Sequence, residues 1–171
     1  MTDAQQRAFV LRAQSGDRDA FDALLRDVGP ALLRYATRVT GDPAMAEDVV
    51  QETFMAIIRK VEWLQDASLF KAWSYRIASR EAFRLLRKRR RYTDPPDEDL
   101  SFIEEPPDPW QRERLLASLE RLSPASRAVV TLHYLEEMPL ADVAAVLDLP
   151  LGTVKSRLSY GLVQLRKEHP T

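Results

Sequence analysis

Apolar residues recur at spacings of three and four along most of the chain, and strand-like alternation is nearly absent. This spacing is typical of helices that bury one face, and it predicts an all-α fold. The predicted helices cover about residues 3–14, 17–40, 43–60, 69–91, 124–135, 139–147 and 151–167, with another starting near residue 110.

Local signals indicate where these helices begin and end. Gly41, Asp42 and Pro43 supply a helix-ending glycine, an N-cap and a first-turn proline. Ser123-Pro124 repeats the cap and proline arrangement. Gly29-Pro30 makes a kink or break plausible within the second helix, because proline lacks a backbone N–H.

Charge then divides the chain. Residues 71–91 hold nine Lys or Arg and one acid, a balance of 9 − 1 = +8, although the whole chain nets only −1. Residues 93–109 follow with seven acids, five prolines and no Lys or Arg. The contrast predicts two small helical domains, 1–92 and 110–171, joined by a flexible acidic linker at 93–109.

Composition excludes several classes of function. The chain has no cysteine, which excludes disulfides and thiolate metal sites. No apolar run is long enough to cross a bilayer, and the polar start lacks a signal-peptide core. We therefore expect a cytoplasmic protein without membrane insertion. His133 and His169 lie in different elements, and no phosphate-binding loop or catalytic motif is present. We therefore expect no metal, no cofactor and no enzymatic activity.

The last two helices have the spacing of a helix-turn-helix. Val154, Leu158, Leu162 and Leu165 form an apolar face on the final helix. Polar residues are then predicted to point outward near its N-terminus, where they suit DNA reading in the major groove: Thr153, Lys155, Ser156, Ser159 and Tyr160, with Arg157 near the boundary. An ordinary helical hairpin with a solvated face is the alternative.

The basic helix interleaves cations with aromatic residues, as single-stranded nucleic acid requires. The candidate residues are Lys71, Trp73, Tyr75, Arg76, Arg80, Phe83, Arg84, Arg87 and Lys88. A solvated charged face is the alternative. Trp73 fits the core better than a DNA surface, and for Tyr75 and Phe83 the spacing leaves both positions open.

A stripe on one side of the third helix presents Glu47, Asp48, Gln51, Glu52 and Met55. Spacing alone favours a solubility surface for this stripe.

Together the motifs resemble those of bacterial extracytoplasmic-function (ECF) sigma factors. Ala46-Glu-Asp-Val-Val-Gln-Glu-Thr-Phe54, Phe70-Lys-Ala-Trp-Ser-Tyr-Arg-Ile-Ala78 and the arginine run resemble sigma region 2. Leu122-Ser-Pro-Ala-Ser-Arg-Ala-Val-Val130 and Leu149-Pro-Leu-Gly-Thr-Val-Lys-Ser-Arg-Leu158 resemble region 4. The resemblance covers about residues 15–168.

The resemblance implies a promoter-specificity subunit that binds core RNA polymerase and promoter DNA. The acidic stripe would dock on the clamp coiled coil of the polymerase, which replaces the solubility interpretation. Residues 61–91 would open and read the −10 element, and the last helix would read the duplex −35 element. An anti-sigma factor is an expected further partner.

Some residues depart from the family pattern. Ser74 and Glu81 stand where apolar residues are common, and Ser79-Arg80 replaces a frequent Arg-Asn pair, so promoter preference is not carried over. Pro139 replaces a capping Ser or Thr, and we expect its helix to start a residue away without losing the motif. The alternative functions are a free-standing helix-turn-helix regulator, a decoy for an anti-sigma factor and, more remotely, an enzyme.

Overall fold

The computed structural model describes residues 1–89 and 119–167, with side chains to residue 164. Its helices are α1 (Asp3–Gln14), α2 (Arg18–Thr40), α3 (Pro43–Lys60), α4 (Phe70–Lys88), α5 (Pro124–Val130), α6 (Leu140–Leu147) and α7 (Leu151–Lys167). Short 3₁₀ turns cover Val61–Trp63, Ala67–Leu69 and Leu119–Arg121, and a π-helical turn, Thr131–Leu135, extends α5. The all-α prediction is confirmed. The predicted linker, and the helix start near residue 110, lie outside the described residues.

The helix ends follow the predicted signals. Asp42 accepts a hydrogen bond from the Met45 backbone N–H, and Pro43 is the first residue of α3. Gly41 ends α2 with φ of 66°, a left-handed conformation that glycine adopts without strain. Ser123 caps α5 through the Ser126 N–H. The helix after Pro139 starts at Leu140, one residue after the position that spacing indicates, which is the size of shift expected because Pro139 makes no side-chain cap.

The possible break at Gly29-Pro30 does not form, because α2 continues through Pro30 to Thr40. Leu24, Val28 and Leu32 are all buried on the two sides of the proline. Their packing stabilises one continuous helix despite the hydrogen bond that proline cannot make. Gly29 lets α3 come close, since a Cβ there would lie 2.9 Å from Cζ of Phe54.

Two bundles share one contiguous core. In the first bundle, α1 to α4, helix α2 packs against α1, α3 and α4. In the second bundle, α5 to α7, the last helix packs against both α5 and α6. The bundles also contact each other, α5 against α2 and α6 against α4. The second bundle therefore lies over part of the helix that carries most of the predicted DNA contacts.

Candidate nucleic-acid interface

Helix α4 presents a cationic face. Lys71, Arg80, Arg84, Arg87 and Lys88 are exposed, and Arg76 is half-buried. The Arg84 guanidinium is partly neutralised by Glu81, whose carboxylate lies 2.7 Å from its Nε. The prediction of an exposed row of cations holds for these residues. The arginines from residue 90 onward lie outside the described part of the chain.

Tyr75 is the largest departure from the predicted α4 surface. Its side chain is fully buried, its ring packs edge-on against Tyr35 at 5.3 Å, and its hydroxyl donates to Glu136 Oε2 at 2.5 Å. Burial and the neighbouring carboxylate raise the pKa of Tyr75 well above its usual value. In this conformation Tyr75 is not part of the surface of α4, because the second bundle supplies a partner that the spacing of one helix does not reveal; its assignment to DNA stays a prediction.

The other aromatic candidates on α4 are half-buried. Trp73 and Phe83 pack against the core, and the Trp73 ring lies 6.2 Å from that of Phe70. Trp63, in contrast, is 70% exposed in the loop before α4, and Leu69 is 53% exposed. Trp63 is thus the exposed aromatic ring of this region. Helical spacing did not predict it, because Trp63 lies in a turn.

The acidic stripe on α3 is exposed as predicted. Glu47, Asp48, Gln51, Glu52 and Met55 all lie at the surface. Ile58, 53% exposed, continues the same side of the helix one turn further on. Because Ile58 follows Met55 by three residues, helical spacing places it on the same stripe, but the sequence-based prediction did not include it.

Arg89 ties the end of α4 to this stripe. Its Nη1 lies 3.5 Å from Asp42 Oδ2, and its Nη2 lies 3.6 Å from Asp48 Oδ2. A cation at the first turn of α3 would be unfavourable without these two acids, since helix N-termini are partly positive. The contact makes the cationic end of α4 and the acidic end of α3 neighbours in space.

The predicted reading helix, α7, is exposed at only part of its polar face. Tyr160 is exposed, and Lys155, Ser156 and Arg157 are half-buried. The prediction that Thr153 and Ser159 point outward is wrong, since they are only 9% and 6% exposed. Both α5 and α6 pack on α7. The side of α7 that they bury is therefore wider than its apolar stripe, and the short side chains of Thr153 and Ser159 at the edges of this stripe are covered. Leu165, predicted to be buried, lies outside the described side chains.

Comparison with known proteins now identifies the family. Residues 24–92 match the profile of Sigma-70 region 2, and residues 112–165 match that of Sigma-70 region 4. The chain is 32% identical to the RNA polymerase sigma-H factor of Pseudomonas aeruginosa, over 92% of this chain and 90% of that protein. The chain belongs to the ECF sigma factors.

Further relatives agree with this assignment. The ECF sigma factor SigL of Mycobacterium tuberculosis is 34% identical, with 93% of this chain and 94% of that protein covered. Among solved structures, CnrH in complex with the cytosolic domain of CnrY matches with a TM-score of 0.69 and 26% identity, covering 95% of this chain and 96% of that one. RpoE bound to the anti-sigma factor NepR, from Bartonella quintana, matches with a TM-score of 0.68 and 26% identity, over 88% and 98%.

Family membership identifies this sigma factor as a promoter-specificity subunit of RNA polymerase that acts in transcription initiation. No helix in the described part of the chain is long and apolar enough to cross a membrane. Within those same residues, no cluster of His, Asp and Glu has the arrangement of a metal site. His133 instead pairs its Nδ1 with the Met138 carbonyl at 2.8 Å.

Proposed function

We propose that the exposed stripe of α3 is the surface by which this sigma factor docks on core RNA polymerase. The stripe consists of Glu47, Asp48, Gln51, Glu52 and Met55, to which we add Ile58. Support comes from its chemistry: the acids are followed along the helix by an exposed apolar pair, Met55 at 46% and Ile58 at 53%. Exposed apolar residues with a polar rim are typical of protein interfaces.

The cationic face of α4 is assigned to the −10 element. Lys71, Arg76, Arg80, Arg84, Arg87 and Lys88 would hold the phosphates of the separated strand, while Trp73 and Phe83 shape the surface beside them. Trp63 and Leu69, exposed in the preceding loop, are added as groups against which an unpaired base can stack. Tyr75 keeps its assignment only for a state in which the second bundle has moved away.

Helix α7 is assigned to the −35 element. Lys155, Ser156, Arg157 and Tyr160 are the surface groups that reach a major groove, and Thr153 and Ser159 support the helix from its covered side. Ser156 already donates to the Gly152 carbonyl at 3.0 Å, so it contacts phosphate only by exchanging that bond. Lys155 and Arg157 supply the charged donors that can reach guanine acceptors.

The remaining assignments follow from the family and the charge pattern. The domain bounds are 1–92 and 110–171, and the acidic linker, 93–109, runs through the polymerase between the promoter elements. The protein acts in the cytoplasm and positions DNA without catalysing a reaction, since the polymerase performs the chemistry. An anti-sigma factor controls it, as the structural likeness to RpoE bound to the anti-sigma factor NepR supports.

The observation that carries the proposal is the pairing of an exposed acidic and apolar face on α3 with an exposed cationic face on α4 of the same bundle. Run-off transcription from a genomic fragment library, using core polymerase with and without this protein, tests the function. New transcription starts are expected only with the protein. No new starts, together with no binding to core polymerase in a parallel binding assay, would contradict the proposal.

The docking surface has its own test. Glu47→Lys with Glu52→Lys should weaken binding to core polymerase by about 30-fold or more, since each reversal turns a favourable cross-interface charge into an unfavourable one. Asp48 is left unchanged because it also pairs with Arg89. Asp19→Lys with Asp22→Lys, two exposed acids on α2, is the matched control. Equal loss in both variants would show a general charge effect and remove α3 as the docking surface.

A further inference from the structure

The loop of residues 61–69 has buried ends and an exposed middle. Val61 is only 2% exposed, and Phe70, the first residue of α4, is completely buried, so the core fixes both ends. Between them Trp63 is 70% exposed and Leu69 is 53% exposed. The side chains assigned to stacking with an unpaired base therefore lie on a segment built from two three-residue 3₁₀ turns. The direction of each side chain depends on what holds this backbone.

Gln14, in the last turn of α1, holds the loop backbone on both sides of Trp63. Its Nε2 lies 2.9 Å from the Val61 carbonyl oxygen and 2.8 Å from the Leu64 carbonyl oxygen. Carbonyl oxygens only accept hydrogen bonds, so the amide nitrogen of Gln14 faces them and donates one proton to each. One side chain thus fixes two backbone positions that lie 47 and 50 residues away in the sequence.

The second half of the loop is held by its own residues. The Asp66 carboxylate accepts hydrogen bonds from the Ser68 hydroxyl at 2.6 Å and from the Ser68 backbone N–H at 2.8 Å. These bonds hold the pKa of Asp66 below its usual value, and the charge of Arg7 on α1 adds to the effect. Local bonds therefore close the second 3₁₀ turn, which does not need Gln14.

The turn after α1 fixes the backbone from which the Gln14 side chain extends. The neighbouring Ala13 is only 2% exposed, so this face of α1 is anchored in the core. The Asp17 backbone N–H donates to the Arg12 carbonyl at 3.1 Å, and the Asp17 carboxylate lies 2.7 Å from Arg12 Nη2. Gln14 is therefore a rigid support for the loop.

We propose that Gln14 is a positioning residue for −10 recognition: its amide holds the backbone on both sides of Trp63, so that the ring meets one unpaired base of the −10 strand in a fixed orientation. This inference rests on the proposed assignment of Trp63 to the −10 strand. A loop that is already ordered loses less conformational entropy when a base stacks on it. Helix α1, which precedes the residues 24–92 matched by the region 2 profile, is then part of the promoter-reading unit.

The first test measures base preference by run-off transcription with core polymerase. Each base of the −10 element of a promoter mapped with the wild type is replaced in turn by the other three. Gln14→Met keeps the length of the side chain but has no donor. It should lower the ratio between the preferred base and the others about five- to tenfold at one position, because each neutral hydrogen bond contributes a factor of about five and water recovers part of the loss. Core binding should be unchanged. Unchanged ratios at every position would overturn the inference.

Two further variants separate the hydrogen bonds from other effects. Gln14→Lys restores a donor group that reaches as far, so it should restore most of the base preference. Gln6→Met makes the same change at a half-buried glutamine of α1 whose side chain has no hydrogen bond with a described residue, and it should keep the wild-type ratios. Equal loss in Gln6→Met, or the full loss in Gln14→Lys, would overturn the inference, because the donors of Gln14 would then not be the cause.

The second test follows the loop itself by hydrogen exchange, detected by NMR in the free protein. The Leu64 N–H donates to the Val61 carbonyl and the Leu69 N–H donates to the Asp66 carbonyl, both at 3.0 Å. Gln14→Met should raise the exchange rate of the Leu64 N–H about fivefold or more and leave that of Leu69 unchanged. An equal rise at both positions would indicate general loosening and overturn the inference.

The two tests also distinguish this inference from the proposed function. If the wild type gives new transcription starts and Gln14→Met keeps the same base ratios, the positioning role fails while the sigma function stands. If the wild type gives no new starts and does not bind core polymerase, the proposed function itself fails.

Discussion

The buried hydroxyl pair between α2 and α4 allows a quantitative prediction. The Tyr35 hydroxyl and Ser79 Oγ lie 2.7 Å apart, and Ser79 also donates to the Tyr75 carbonyl at 2.7 Å. Ser79 has a single proton, so Tyr35 must donate to Ser79. Both side chains are almost completely buried, so neither hydroxyl can turn to water.

Because Tyr35 donates this hydrogen bond to Ser79, the two single substitutions should lower the free energy of unfolding by different amounts. Tyr35→Phe removes the donor but leaves the Ser79 proton bonded, so it should cost about 1 kcal/mol of unfolding free energy. Ser79→Ala leaves a buried Tyr35 hydroxyl without its partner, a cost of about 2 kcal/mol, from which about 0.5 kcal/mol is recovered by the better helix propensity of alanine. The net loss for Ser79→Ala is then about 1.5 kcal/mol.

The double variant, Tyr35→Phe with Ser79→Ala, should be no less stable than Ser79→Ala alone. It leaves no hydroxyl unpaired, and its expected loss is about 1 kcal/mol, against about 2.5 kcal/mol for the sum of the singles. Urea denaturation followed by circular dichroism measures all three. A double variant whose loss equals that sum would refute the reasoning, because it would show that the two hydroxyls do not interact.

Three further predictions concern pH, backbone and salt. Burial raises the pKa of Tyr35 and Tyr75 above the unfolded value of 10.0, so their contribution to stability is full below about pH 10 and is lost as the pH rises further. The difference in absorbance at 295 nm between the wild type and each of Tyr35→Phe and Tyr75→Phe isolates these two residues from the other three tyrosines, and it should appear only with unfolding; a difference that develops near pH 10 in the folded protein would contradict this. Gly41→Ala should lower the unfolding free energy by about 1–2 kcal/mol, because φ is 66° there; an unchanged urea midpoint would argue against the left-handed cap. Lys71→Gln with Lys88→Gln should reduce the salt dependence of −10 strand binding by a slope of about 1.4 in a logarithmic plot, and equal loss at every salt concentration would indicate a folding defect instead.

The helices and their ends could be predicted because their causes are local. The cap and proline signals at residues 41–43 and at Ser123 depend on neighbouring backbone groups, and the structure uses each of them. The α3 stripe could also be predicted from spacing, since that side of the helix is exposed and meets another helix only at the Asp48 and Arg89 contact. The possible break at Pro30 does not form, because its local cost is opposed by burial of Leu24, Val28 and Leu32 against helices that are distant in the sequence.

The faces of α4 and α7 show what short segments of sequence do not predict. Helical spacing separates an inner from an outer side, but it does not tell how many neighbours cover a helix. Thr153 and Ser159 are covered because two helices pack on α7, and Tyr75 is buried among groups from α2 and the second bundle. These contacts join residues up to 61 positions apart, so no window of sequence contains both partners.

The helices, the charge contrast and the sigma family could all be predicted from short segments, because periodicity, caps and motifs are properties of such segments. Which charged surface stays open depends instead on how the helices pack. Asp148 has nothing in its local sequence to indicate Arg76 and Arg80 as partners, and the packing of α6 on α4 brings them within 3.5 Å. Electrostatic pairing depends on distance in space, and that distance is set by how the two bundles pack.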